Sequence, residues 1–470
     1  MVEAAIDPKD QLSRLDDSGI TKQHWKIMLI SGMGFFTDAY DLFIIGVVMD
    51  ILKTQWRPTP LEVGLVSSTA LIAAAIGAMV FGRVADMLGR KRIYGYECLV
   101  LAIGAIASAF SPNIMWLIVF RFILGIGIGG DYPVSATIMG EYAGKRTRGL
   151  LVTLVFSMQA AGLVIGPLLA AGFLASGLAP ALVWRILLAI GAIPALAVFY
   201  ARRHISETPR YLLSRGNHEE FKQAAGSVFG DDKTGLGGTA ESQQQKSDPG
   251  VEVKHPTFAG GFQKLIANRV WLPRLIGASA AWFLMDFAYY GNTVSSPLVL
   301  SALEPHANLI HKTLLVLLVF TVAAAPGYFV AAINMDKIGR KLIQSIGFGV
   351  MAVAFTCLAL IPNIQQLVAP FLVIYGASYF FTEFGPNSTT FVYPNELFPV
   401  DVRTTGSGIA AAMGKIGAFI GVFTFPILMS WHGLEAAELT AAFVSVLGLF
   451  VTLALLPETK GKSLEELSLA

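Results

Sequence analysis

Apolar residues in this chain gather in long blocks, separated by short polar stretches that are often basic. About twelve blocks are long enough to cross a bilayer as helices. They run roughly 25–50, 61–84, 92–111, 114–140, 149–176 and 182–202, then 271–300, 312–335, 341–362, 366–393, 404–430 and 434–456. The pattern predicts an all-α polytopic membrane protein. Between the sixth and seventh blocks lies a polar segment, rich in Gly, Gln, Lys and Asp around 231–255. It reads as a flexible linker with at most a short helix or two. The expected organisation is a six-helix bundle over 1–203, a linker over 204–270 and a second six-helix bundle over 271–470, with short polar arms at both ends.

Basic residues orient these blocks. Lys and Arg crowd the loops after the second block (Arg83, Arg90, Lys91, Arg92), the fourth (Lys145, Arg146, Arg148) and the eighth (Lys337, Arg340, Lys341), together with the linker and both termini. The opposite loops hold little beyond Lys53, Arg57 and Lys312. By the positive-inside rule, both termini and the linker are expected in the cytoplasm.

The chain also repeats itself. Phe35-Phe-Thr-Asp38-Ala-Tyr40 in the first block is echoed by Phe283-Leu-Met-Asp286-Phe-Ala-Tyr289 in the seventh. Asp86-Met-Leu-Gly89-Arg90-Lys91 is echoed by Asp336-Lys-Ile-Gly339-Arg340-Lys341, and Glu141 with Arg146 and Arg148 by Glu396 with Arg403. Two related halves imply pseudo-symmetric bundles with a site between them near the midplane. Topology-setting charge alone is the alternative reading of the repeated basic loops.

Composition agrees with the blocks. Hydrophobic residues make up 54% of the chain and charged residues 14%, against about 25% charged in a soluble domain. Cys98 and Cys357 both fall in apolar runs, so neither a disulfide framework nor a metal cluster is indicated. The first twenty-odd residues are polar and mixed in charge, unlike a cleavable signal peptide. No catalytic motif is visible, no cofactor is implied, and nothing points to nucleic acid.

Several polar residues sit where a membrane helix tolerates them poorly. In the fourth block Gly125, Gly129 and Pro133 recur every four residues, opening one face to a close neighbour. Asp131 and Tyr132 lie beside them, with Ser135 one turn beyond Asp131. Gly125, Gly127 and Gly130 formally satisfy a dinucleotide-binding pattern, but they lack its strand–turn–helix context. An intramembrane acid is a functional candidate by default, the alternative being a pair with a buried arginine. In the seventh block Trp282, Asp286 and Tyr290 share one helical face. Such a stripe commonly means packing, but the aspartate within it points to a site. Lys415 lies far from either end of its block and cannot snorkel out. Phe384-Gly-Pro-Asn387 loosens the tenth block, and Glu383 is a candidate partner for Lys415. Asp38 and Asp41, three apart, are neighbours on one face of the first block.

Gly129-Gly-Asp-Tyr-Pro-Val-Ser-Ala-Thr-Ile-Met-Gly-Glu141 resembles the signature of phosphate:proton symporters, a branch of the major facilitator superfamily. The resemblance extends over nearly the whole chain. Ser206-Glu-Thr-Pro-Arg210 and Pro457-Glu-Thr-Lys-Gly461 resemble the superfamily's motifs after each half. The resemblance implies the major facilitator fold and import of inorganic phosphate with protons by alternating access, across the plasma membrane. It implies that Tyr132, Gln159, Trp282, Asp286, Tyr290, Asn387 and Lys415 bind phosphate. It assigns proton transfer to Asp38 and Asp131, with Asp41 beside them and Arg121 tuning them; Glu97 is a weaker candidate. Asp286 would favour an anion that carries its own proton, since two negative groups repel unless a proton lies between them. The alternatives are a proton symporter for a sugar or aromatic acid, and a phosphate-sensing receptor on the same fold.

Overall fold

The computed structural model describes residues 8–229, 257–303 and 308–469, and every regular element among them is helical. The first half contains α1 (Lys22–Gln55), α2 (Pro60–Leu88), α3 (Arg90–Ala109), α4 (Ile114–Tyr142), α5 (Arg148–Ala175) and α6 (Pro180–Arg202). The second contains α7 (Trp271–Val294), α8 (Leu309–Ile338), α9 (Arg340–Leu360) and α10 (368–397). A final run, Arg403–Leu455, breaks at Gly433, whose φ of 76° and ψ of 178° lie outside any helix. Its arms, 403–432 and 434–455, are α11 and α12.

All twelve expected blocks are thus helical. Eight helices are long and apolar enough to cross a membrane by those two criteria, the joined α11–α12 counting once. The three outside this set, α1, α7 and α10, carry Asp38 and Asp41, the Trp282–Asp286–Tyr290 stripe, and Glu383 with Asn387. Two boundaries differ from expectation: the seventh block breaks at Ser295, and α10 runs on to Leu397. The segment after α6 holds three short helices rather than one or two, Pro209–Ser214, His218–Phe229 and Phe258–Ala267. The polar stretch around 231–255 lies outside the described residues.

Burial is inside out relative to a soluble protein. Asp38, Asp131, Arg202, Asp286, Glu383 and Lys415 are at most 1% exposed, while Val373 is 71% and Phe450 69% exposed. Charges inside and large apolar side chains outside are what a lipid solvent demands.

Glycine sets the closest helix contacts. Gly125 and Gly129 place α4 against the backbone of Ala70 and Ala74 in α2, where a Cβ would collide. Gly417 and Gly421 do the same for α11 against Phe283 and Phe287 of α7. Between halves, α2 runs along α11 and α5 along α8. Exchanging the halves converts the first pair into the second, so the contact is pseudo-symmetric.

The basic rim repeats that symmetry atom by atom. Arg90 pairs with Asp86 at 3.1 Å and Glu141 at 3.0 Å, and Thr208 donates to Glu141 at 2.5 Å. Arg340 pairs with Asp336 at 2.8 Å and Glu396 at 2.6 Å, and Thr459 donates to Glu396 at 2.5 Å. Asp86 accepts the Thr404 and Thr405 amides (3.3 and 2.7 Å) at the start of α11. Asp336 accepts those of Gly149 and Leu150 (3.1 and 2.7 Å) at the start of α5. Each carboxylate therefore caps a helix of the opposite bundle, satisfying orphan amides at the positive end of its dipole. Arg403 adds a cross-bundle pair with Glu141 at 2.9 Å. The bundles are closed against one another at this rim.

Candidate functional site

Between the two bundles, both contribute to one hydrogen-bonded chain. Lys415 Nζ on α11 donates to Asp286 Oδ2 at 3.1 Å and to Tyr290 Oη at 2.8 Å, both on α7. Tyr290 Oη meets Tyr132 Oη of α4 at 3.3 Å. Gln159 Nε2 on α5 donates to Tyr132 Oη at 3.0 Å. Tyr328 Oη on α8 donates to Gln159 Oε1 at 3.1 Å, and Asn387 Nδ2 on α10 donates to Tyr328 Oη at 3.0 Å. Trp282 is buried in the same cluster, its ring 6.1 Å from that of Tyr132. All seven residues expected to bind substrate are thus brought together.

The local folding of each helix explains their placement. The i, i+4, i+8 spacing aims Trp282, Asp286 and Tyr290 from one face of α7. Gly414 lets α11 settle on the Trp282 ring, which sets Lys415 one residue later beside Asp286. In α10, Gly385 (φ −99°, ψ −112°) and Pro386 open a π turn over Glu383–Asn387. Pro lacks an amide hydrogen, so the ladder slips there, and the turn presents Glu383 and Asn387 together.

The cation is held by aromatic faces as well as by Asp286. Lys415 Nζ lies 4.2 Å from the Tyr132 ring centroid and 4.3 Å from that of Tyr290. Phe43 stacks on Tyr290 at 5.3 Å and caps the cluster. Beyond it, away from the basic rim, α1, α2, α7 and α11 line a cavity of about 360 Å³ that includes Met49, Lys53, Ser67 and Phe423.

One candidate pairing is not formed. Lys415 bonds Asp286, not Glu383. Glu383 instead accepts from Asn387 Nδ2, because the π turn directs it towards α8 rather than α11. Tyr328, which bridges Gln159 and Asn387, was not among the sequence candidates. Its only signal was the preceding Pro326-Gly327, and a lone tyrosine in an apolar block is unremarkable.

The acids of the first half form a second cluster. Arg202, at the end of α6, pairs with Asp131 at 2.8 Å and Glu97 at 2.6 Å, and donates to Ser31 O at 3.1 Å and Ser135 Oγ at 3.2 Å. Tyr94 hydrogen-bonds Ser31 at 2.7 Å and Ser135 at 2.9 Å, with Arg202 over its ring. The alternative of a buried arginine partner for Asp131 is therefore what the structure contains. Asp38 is buried and feels the charges of Asp131, Arg202, Asp41 and Lys415. Arg121 does not reach Asp131. It donates to the backbone oxygen of Asp41 at 2.9 Å, and Asp41 is its charged neighbour. The cation beside Asp131 is Arg202, which was not among the sequence candidates.

Residues 24–470 match the sugar (and other) transporter family. The chain belongs to that family. It is a membrane transporter of the major facilitator superfamily, and its curated relatives narrow the branch. It is 37% identical to "Probable inorganic phosphate transporter 1-6" of Arabidopsis thaliana, covering 97% of this chain and 96% of the relative. It is 36% identical to "Inorganic phosphate transporter 1-6" of Oryza sativa subsp. japonica, covering 97% and 94%. Among solved structures, the proton:xylose symporter XylE bound to 6-bromo-6-deoxy-D-glucose superposes with a TM-score of 0.79 at 21% identity. That match covers 94% of this transporter and 98% of XylE and confirms the fold.

Proposed function

We propose that this transporter is a proton-coupled inorganic phosphate symporter that imports phosphate across the plasma membrane by alternating access. The observation that carries the reading is Lys415, a buried cation in a hydrogen-bonded chain spanning six helices of both bundles. A poorly hydrated anion needs a compensating charge and donors placed in advance. Lys415, Tyr132, Tyr290, Gln159 and Asn387 offer both, and the curated relatives bear the name inorganic phosphate transporter. Phosphate would displace the Lys415–Tyr290 bond and draw on the Asn387 amide. The bodies that rock are the bundles of 1–203 and 271–470, joined by the 204–270 linker, with the basic rim and both termini in the cytoplasm. With that rim closed and the cavity on the opposite side, the arrangement is the outward-facing one. Asp38 and Asp131 carry the protons, and Arg202 links their protonation to the end of α6.

Uptake of labelled phosphate by proteoliposomes, with and without an imposed inward proton gradient, tests the reading. Accumulation above equilibrium should require the gradient and should not be competed by xylose. Phosphate uptake indifferent to the gradient would overturn the coupling; no phosphate uptake would overturn the substrate.

A further inference from the structure

Glu383 is a fully buried acid with no cation partner among the described residues, and it shares an amide with the central chain. One carboxylate oxygen accepts from Asn387 Nδ2, and the same nitrogen donates to Tyr328 Oη at 3.0 Å. Both amide hydrogens of Asn387 are thereby used. Glu383 Oε1 has no hydrogen-bond partner of good geometry among the described residues, and neither has Tyr289 Oη. The groups facing Glu383 are Tyr289 and Asp286 from α7 and Tyr328 from α8. On its own helix Tyr379 lies one turn earlier, bonded to Ser296 at 2.8 Å. From α9 the contact with the π turn is Gly347, against Gly385 and Pro386. None of these is a cation. Lys415 is bonded to Asp286 and Tyr290.

Charge counting then constrains the loaded site. With both carboxyls ionised, Lys415, Asp286 and Glu383 sum to one net negative charge before any anion enters. A phosphate anion would add to that surplus in a place sealed from water, where unpaired charge is strongly disfavoured. Asp286 has Lys415 as its partner at 3.1 Å, whereas Glu383 faces no cation among the described residues, so Glu383 is the acid left to be neutralised.

We infer that Glu383 carries a proton whenever phosphate is bound, taking it up from solution at any pH where the empty site leaves the carboxyl ionised. The inference rests on the phosphate reading above. Protonation forms an O–H bond on the carboxyl, removes the surplus charge, adds a donor to Glu383 and weakens its remaining oxygen as an acceptor for Asn387. An Asn387 N–H is then released to a phosphate oxygen, while the new O–H finds an acceptor in Tyr289 Oη. Proton and anion are coupled through one shared amide, in the second bundle and apart from the Asp38–Asp131–Arg202 cluster.

The test uses the full chain in nanodiscs with inorganic phosphate as ligand. Calorimetry in buffers of different ionisation enthalpy counts the protons taken up per phosphate bound, and the comparison of variants cancels phosphate's own titration. Above the pH where Glu383 titrates, wild type should take up about one proton more than Glu383→Gln, and its Kd should rise about tenfold more per pH unit. Glu383→Asp should retain the linkage. Wild-type proton uptake in Glu383→Gln would overturn the assignment. Should that variant not fold, wild type carries the test: its phosphate-minus-apo infrared spectrum should gain a protonated-carboxyl band that shifts in Glu383→Asp, and absence of the band overturns the inference. Failure of wild type to bind phosphate at all would instead remove the substrate reading, an outcome distinct from these.

Discussion

Replacing Lys415 by alanine separates an anion site from a merely structural ion pair. The ammonium is 1% exposed and lies within 3.1 Å of Asp286 and 2.8 Å of Tyr290. Its removal has two consequences of different sign for the double variant. It strands the Asp286 carboxylate, and leaving one member of a buried pair alone costs about 3–5 kcal/mol. It also deprives phosphate of a desolvated partner, and close buried charge pairs couple by about 1.5–7 kcal/mol. Taking about 2 kcal/mol as a low figure, Kd should rise about 30-fold or more at 1.4 kcal/mol per decade. Lys415→Ala with Asp286→Asn removes the stranded charge, so thermal stability should recover most of its loss while binding stays weak. Equilibrium binding of labelled phosphate and thermal unfolding of wild type and both variants measure the two effects separately. Binding within about threefold of wild type in Lys415→Ala, less than about 0.7 kcal/mol, would refute the role. Recovery of binding in the double variant would leave only the structural pair.

Two further predictions concern the basic rim. Glu141 accepts from Arg90 and from Arg403 of the other bundle at 3.0 and 2.9 Å; Glu141→Gln should loosen closure, so that a cysteine replacing the buried Ser407 labels at least about tenfold faster from this side, a shift of about 1.4 kcal/mol. Unchanged labelling would remove Glu141 from the closing contacts. Burial pushes the Glu465 carboxyl up, but the Arg210 guanidinium bonded to it more than offsets this and holds it below the ordinary glutamate range. A lowered acid contributes stability in full above its unfolded value and loses it as pH falls through the folded one. Hydrogen exchange should therefore show the Leu464–Leu469 helix docked at neutral pH and released in acid, with Arg210→Ala weakening docking already at neutral pH; acid-insensitive protection would refute the pairing.

How much of this was legible beforehand depends on what each signal measures. Helices were legible because lipid enforces a minimum apolar length. Asp286, Tyr290 and Lys415 were legible because intramembrane polarity is expensive enough to require a reason. Partner choice was not. Lys415 comes from α11 and could meet an acid on α7 or on α10, and linear spacing does not say which. The deciding features are three-dimensional: Gly414 seating α11 on Trp282, and the π turn rotating Glu383 away. Arg202 was missed for the opposite reason. At the end of a span, a cation looks like a topology signal, and only the fold shows it turned inward onto Asp131 and Glu97.

The internal repeat makes a stronger statement about where this transporter's two halves differ. At the rim, Asp86, Arg90, Glu141 and Thr208 correspond to Asp336, Arg340, Glu396 and Thr459, with the same partners and the same helix-capping geometry. At the candidate site the correspondence ends. Among charged groups Asp38 of α1 feels Asp131 and Arg202 most, whereas its counterpart Asp286 of α7 is paired with Lys415. Under the alternating access proposed above, rims must exchange roles, which symmetry there would serve. Binding an anion together with protons needs unlike charge environments side by side, which two identical halves could not provide. On the proposed function, the break in symmetry at Lys415 and Arg202 is what separates the anion's place from the proton's. Lys415→Ala should therefore weaken phosphate binding, whereas Arg202→Ala should alter the pH dependence of uptake more than phosphate affinity; binding and uptake measured across pH for each variant check this, and equal losses of affinity in both would refute the separation.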